Sequence, residues 1–170
     1  MQRISFATHA FWRDYEIVLA PNRFKMIVEG HRHSFADVIV VLNNCRNRDE
    51  ALAARAMADH LIDLGLATKI IGAAEYLTTD VLTDLGLDPL RYWCLNPYFS
   101  SAQFAALHYA KPRCEYLLHM TGDVWLQTPC QWIPKALTAL EASPDMAGFN
   151  LCCTGHEAPY ERRAKEQNDH

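Results

Sequence analysis

The chain has 170 residues, of which half are apolar, and a formal net charge of −4. A chain of this length buries enough surface for one hydrophobic core, and its weak negative charge argues against nucleic acid as a partner. The sequence begins without a secretory signal pattern, and no apolar stretch approaches the roughly 18 residues of a membrane span, so we expect a cytoplasmic protein.

Apolar runs alternate with helical patterns along the chain, which predicts an α/β protein with a mainly parallel sheet. The short β-prone segment at residues 3–10 predicts a first strand. The helical pattern over residues 13–30 contains Pro21, which is expected to interrupt it. The run DVIVVLNN at residues 37–44 is continuously apolar at its centre. This composition is typical of a strand that is buried on both faces.

A helix is predicted to begin after Asn47, because Glu50 follows it at the spacing of a capping box. Apolar residues at helical spacing predict the buried face of this helix, namely Ala53, Met57, Leu61 and Leu64. Gly65 then follows at the position of a left-handed C-terminal cap.

The remainder of the chain continues this alternation. Its patterns predict strands over 68–73, 114–120 and 146–151, helices over 75–85, 101–111 and 132–142, and an irregular aromatic segment over 91–101. We expect one domain over residues 1–160 and a polar tail over 161–170. The predicted fold is a Rossmann-like, three-layer α/β/α sandwich with a mainly parallel sheet.

Polar side chains follow several predicted strands, at the edge where an open α/β sheet binds its ligands. These strand-end residues are Thr8, His9, Asn43, Asn44, Thr121 and Asp123. If the first strand and the strand over 114–120 are neighbours in the sheet, two of these ends face one crevice.

Glycine-rich phosphate loops are absent from the sequence, which contains neither GxGxxG nor GxxxxGK[ST]. A phosphate site would therefore need a metal ion, and hard cations prefer carboxylate oxygen. Asp123, in the segment HMTGDVWL, is the carboxylate best placed for this role. The alternative interpretation of Asp123 is an ordinary turn residue after a strand.

The segments FATHAFWRDYE, VVLNN and AQFAALHYA, followed by CEYLLHMTGDVWL, together resemble glycosyltransferases of the GT-A fold. The resemblance covers most of residues 3–151. In that family, a strand ends in a D-x-D motif that holds Mn²⁺ or Mg²⁺ against the diphosphate of a nucleotide-sugar. The resemblance implies a UDP- or GDP-sugar as donor and Asp123 as the metal ligand. The residues expected to bind this donor are Thr8, His9, Arg13, Asn43, Thr121 and Asp123.

Two features depart from the family pattern. Thr121 stands where the family has the first acid of its motif, so TGD offers a single carboxylate. The sequence also ends where the family's acceptor-binding half would follow. We therefore keep two expectations, of which the first is a metal-dependent glycosyltransferase. The second is a truncated, non-catalytic nucleotide-binding or interaction domain that forms a homo-oligomer or needs a partner.

Other polar residues have a structural interpretation beside the functional one. Asp14 suits the first turn of a helix, and His119 suits a buried position within its strand. His31 and His33 would share a face of an extended segment, although no third metal ligand is near them in the sequence. The six cysteines lack CxxC spacing and are expected to be reduced core residues.

Overall fold

The computed structural model describes residues 3–45, 47–94, 100–122 and 124–143. The chain divides into two units, residues 1–131 and residues 132–170. The first unit contains a four-stranded sheet built from β1 (Ile4–Phe11), β2 (Asp37–Asn43), β3 (Lys69–Gly72) and β4 (Tyr116–Thr121). All neighbouring strands are parallel, and their order across the sheet is β3-β2-β1-β4.

Helices of the first unit connect and cover these strands. The helices within the described ranges of the whole chain are α1 (Tyr15–Val18), α2 (Pro21–Glu29), α3 (Arg48–Asp63), α4 (Ala73–Tyr76), α5 (Thr79–Asp84), α6 (Pro89–Cys94), α7 (Ser100–Ala110) and α8 (Ile133–Ala142). The last of these belongs to the second unit. None of the described helices is long and apolar enough to cross a membrane.

The two faces of the sheet are covered by different helices, because successive strand residues point to opposite sides. One side, here called the α7 face, carries Ala7, Ile39 and Val41, which pack with apolar residues of α4 to α7. The other side, the α3 face, carries Ala10 and Val40, which pack with α1, α2 and α3. This arrangement confirms the predicted α/β class with a parallel sheet between helical layers.

Local signals in the sequence account for several element boundaries. The Asn47 side chain accepts a hydrogen bond of 2.9 Å from the Glu50 amide, which confirms the predicted start of α3. Gly65 has φ +68°, as its predicted capping role requires. Pro21 separates α1 from α2 and occupies the first turn of α2, where a proline costs no helical hydrogen bond.

The buried face of α3 agrees with the prediction only in part. Leu61 is buried and Met57 packs against the core, as predicted, whereas Ala53 and Leu64 are exposed and Ala54 and Ala58 are buried instead. Alanine recurs along this helix, so the spacing of apolar residues is compatible with two neighbouring faces of the helix as the buried one. The stripe that faces the sheet carries small side chains, which allow the helix to approach the strands closely.

Two other predictions need correction. The helix predicted over 75–85 is interrupted, because the Thr78 hydroxyl accepts a hydrogen bond from the Val81 amide and begins α5 as a separate helix. The aromatic segment over 91–101, predicted to be irregular, begins with the last four residues of α6. The first turn of this helix is capped by the Asp88 carboxylate at 3.0 Å from the Leu90 amide. The strand predicted over 146–151 and the tail over 161–170 lie outside the described residues. The single domain over 1–160 stays a prediction.

Candidate functional site at the carboxyl ends of the strands

β1 and β4 are direct neighbours, which confirms the adjacency on which the predicted crevice depended. The chain proceeds from β1 to β2 and β3 on one side and then places β4 on the other side of β1. The strand order therefore reverses between β1 and β4. In open α/β sheets, ligands bind beyond the carboxyl ends of the strands at this reversal.

A pair of histidines lies at this reversal. The register places Thr121 opposite His9, and His119 opposite Ala7, so all three polar side chains belong to the α7 face. His9 is only 6% exposed. Its Nδ1 atom lies 3.5 Å from Nε2 of His119, and the two ring centroids are 5.4 Å apart with an interplanar angle of 17°. Both residues are candidates in the sequence, but their pairing follows only from the structure.

The surroundings of His119 keep its imidazole neutral. Burial, and secondarily the neighbouring His9, lower the pKa of His119 to about 4. At neutral pH this ring therefore has one protonated nitrogen and one nitrogen with a free lone pair. A neutral imidazole of this kind can accept a proton or bind a metal ion.

Thr8 lies on the opposite side of the sheet from His9. It is completely buried on the α3 face, and its Oγ1 atom has no hydrogen-bond partner among the described residues. The two residues are adjacent in the sequence, and the alternation of a strand sends their side chains to different faces. The structure therefore brings His9 and Thr121 together and leaves the Thr8 hydroxyl in the core.

The other predicted site residues lie around the same edge of the sheet. Asn43 ends β2 opposite Phe11 and is 5% exposed. Arg13 is exposed, and its guanidinium carbon lies 4.6 Å from the centroid of the Trp12 ring. The Asp14 carboxylate accepts a hydrogen bond of 2.8 Å from the Phe11 amide, so it stabilises the turn after β1.

Gly122 packs tightly where the chain leaves β4. A Cβ atom at this position would lie 2.6 Å from the carbonyl oxygen of His9 and 2.6 Å from both γ-carbons of Val18. No real Cβ approaches backbone this closely. The glycine of the TGD motif is therefore required by the contact between this turn, β1 and α1.

Asp123, the predicted metal ligand, lies outside the described residues. Within the part of the chain that the structure describes, no group of three or more His, Cys, Asp or Glu side chains is placed to hold a metal ion.

The His31 and His33 pair has a structural role. His31 is fully buried, with ring centroids 5.7 Å from Phe6 and 6.0 Å from Phe35. Burial, and then the neighbouring His33, lower the pKa of His31 to about 4. An aromatic cluster of this kind stabilises the core beneath β1 rather than presenting two nitrogens to solvent.

A cavity of about 490 Å³ opens at the carboxyl ends of β2 and β3, and the sequence analysis missed it. One face of α3 forms a wall through Arg48, Ala51, Leu52 and Arg55, and Glu75 stands among small residues at the start of α4. The volume of this cavity lies in the range of small-molecule pockets. Arg48 and Arg55 lie seven residues apart on one helix, and this spacing was the feature of the sequence that could have indicated the cavity.

The described site thus consists of His9, His119 and Thr121 at the strand reversal, with Asn43 and Arg13 along the same edge of the sheet. No family model, no curated protein and no solved structure significantly matches this chain.

Proposed function

We propose that this domain binds a nucleotide-sugar at the carboxyl ends of β1 and β4 and transfers its sugar to an acceptor in the cytoplasm. The resemblance of the sequence to GT-A glycosyltransferases motivates the proposal. The pairing of β1 with β4 supports it most, because this pairing creates the strand reversal beside which Thr121 lies. Asp123 follows Thr121 by two residues in the sequence.

The metal ligand that we assign suits a hard divalent cation. The carboxylate of Asp123 offers oxygen, which Mn²⁺ and Mg²⁺ prefer, and the Thr121 hydroxyl is assigned a hydrogen bond to the donor. The bound cation would supply charge stabilisation for the departing diphosphate. The exposed guanidinium of Arg13 is suited to donate charge-assisted hydrogen bonds to phosphate oxygens.

Neutral polar groups complete the proposed site. The amide of Asn43 and the imidazole of His9 lie at the same edge of the sheet and are assigned to the nucleoside side of the donor. The Thr8 hydroxyl is buried on the α3 face, on the opposite side of the sheet from these groups.

Calorimetric titration tests this proposal. UDP- and GDP-sugars are titrated into the full chain with and without Mn²⁺, and into Asp123→Ala and the control Asp80→Ala, an exposed acid on α5. We expect metal-dependent binding that weakens at least about tenfold in Asp123→Ala and is unchanged in Asp80→Ala. Failure of the wild-type chain to bind either nucleotide class would contradict the proposal.

A non-catalytic nucleotide-binding or interaction domain is the second candidate. All six residues of β4 are partly exposed, and within the described chain β4 has a neighbouring strand on one side only. An edge strand of this kind offers backbone groups to a second copy or to another partner. Donor binding without any turnover or donor hydrolysis, together with a dimer in analytical ultracentrifugation, would favour this candidate over the transferase.

A further inference from the structure

His9 and His119 meet through their ring nitrogens. Their Nδ1 and Nε2 atoms are 3.5 Å apart while the ring centroids are 5.4 Å apart, so the nitrogens are the nearest parts of the two rings. The planes of the two rings are close to parallel, with an interplanar angle of 17°. An ion beside the two nitrogens can therefore contact both of them.

These spacings match those of two imidazoles bound to one ion. Nitrogens at about 2.05 Å from a tetrahedral zinc ion lie about 3.3 Å apart, and the centres of their rings about 5.2 Å apart. The His9–His119 pair is within roughly 0.2 Å of both values. A hydrogen bond of the same length between two rings that share one plane and point straight at each other would hold the ring centres about 5.8 Å apart.

The pair is also held in position by the sheet. Both histidines lie within β1 and β4, whose parallel ladder sets their relative position, and sites on strands are more precise than sites on loops. His119 is partly exposed, so an ion can reach the pair from its side.

We propose that His9 Nδ1 and His119 Nε2 bind one divalent transition-metal ion of the zinc class, with the remaining coordination positions open to water or substrate. Within the described ranges no third His, Cys, Asp or Glu completes the set. Zinc sites that carry out chemistry keep one position open beside three protein ligands, whereas structural zinc sites are closed by four. A pair of histidines leaves two tetrahedral positions to water or substrate. Such an ion would lie at the strand reversal, where a bound substrate would meet it.

This inference goes beyond the proposed nucleotide-sugar function, since it needs no nucleotide and uses a different ligand chemistry. Imidazole nitrogen suits Zn²⁺, Co²⁺ and Ni²⁺, whereas Mg²⁺ and Mn²⁺ prefer carboxylate oxygen such as that of Asp123. The two metal proposals are therefore separable by the ion and by the residue that is changed.

Competition of the full chain with a chromophoric chelator for Zn²⁺, without nucleotide, tests the inference. We expect His9→Gln and His119→Gln each to weaken Zn²⁺ binding at least about tenfold and to abolish the visible absorption of bound Co²⁺. His33→Gln and His60→Gln are the controls and should bind as the wild type does. A wild type that binds no Zn²⁺ at about 100 µM free metal, or histidine variants that bind normally, would overturn it.

Two further measurements keep the test decisive if a variant fails to fold. X-ray absorption of the Zn²⁺-loaded wild type should show scattering from two imidazoles, and fewer than two would overturn the inference. Asp123→Ala should retain Zn²⁺ binding to within about tenfold, and complete loss there would place the ion elsewhere. Failure of nucleotide binding in the calorimetric experiment leaves the Zn²⁺ result unaffected, so the two proposals fail separately.

Discussion

At the scale of single residues, neighbours in the sequence have different roles because β1 is buried on both faces. Thr8 is in the core on the α3 face, whereas His9 meets His119 on the α7 face. In the sequence both residues come near the end of the same strand, which predicts that they lie together at one site. Only the pairing partners of β1 show which side of the sheet carries the polar side chains.

The buried His31 predicts a dependence of stability on pH. Its folded-state pKa of about 4 lies below the unfolded value of 6.5, so the unfolded chain binds the extra proton more readily. The contribution of neutral, buried His31 to the free energy of unfolding is fully present above pH 6.5. It is lost as the pH falls from 6.5 towards 4, which lowers the free energy of unfolding by up to about 3 kcal/mol. We expect His31→Phe to lose less stability than the wild type between pH 7 and pH 4.5 in urea unfolding.

A matched variant separates this effect from general acid unfolding. His60 is exposed on α3, and His60→Gln removes a histidine without changing the aromatic cluster. The stability of this variant should depend on pH as the stability of the wild type does. If His31→Phe and the wild type lose the same stability between pH 7 and pH 4.5, then His31 does not contribute to the dependence of stability on pH.

At the scale of elements, capping side chains set helix boundaries more exactly than apolar periodicity does. Asn47 begins α3, Thr78 begins α5 and Asp88 begins α6, each through a hydrogen bond to a backbone amide. The Asn47 cap was identified in the sequence, whereas Thr78 lay inside a continuous helical pattern. The interruption before α5 was missed because periodicity continues across it.

Asn47→Ala should destabilise the protein by about 1 kcal/mol, since it leaves the Glu50 amide without its 2.9 Å acceptor. Chemical unfolding measures the change. The control is Gln103→Ala on α7, an exposed position where removal of the amide should alter stability by less than about 0.5 kcal/mol. Indistinguishable stabilities for the two variants would mean that the cap adds nothing to α3.

At the scale of the whole sheet, the junction of β4 with β1 assembles the candidate site. It creates the reversal of strand order, the His9–His119 pair and the tight turn at Gly122. None of these features belongs to one element alone. Each depends on residues more than 100 positions apart coming into register, as His9 and Thr121 do.

Gly122→Ala tests this junction. The added Cβ would lie 2.6 Å from the His9 carbonyl oxygen and from Val18, and backbone cannot move aside without shifting β1 against β4. We expect a loss of about 1–3 kcal/mol in chemical unfolding, together with weaker Zn²⁺ binding by the histidine pair.

Gly72→Ala is the matched control, because its nearest neighbour is the flexible carboxylate of Glu75 at 3.0 Å. This substitution should leave stability nearly unchanged. If Gly122→Ala proves as stable as Gly72→Ala, the contact between the turn and β1 is looser than the structure indicates.

The sequence by itself determined the α/β class, the four described strands and the cap at Asn47, because these follow from local composition, from residue spacing and from hydrogen bonds within a few positions. It also indicated the strand ends at which a ligand would lie. Only the tertiary structure decided that β4 pairs with β1, that α3 buries Ala54 and Ala58, and that His9 meets His119 while Thr8 turns away. The physical reason is that strand register and helix rotation are set by packing between distant segments, and the local pattern of a segment leaves several such arrangements open.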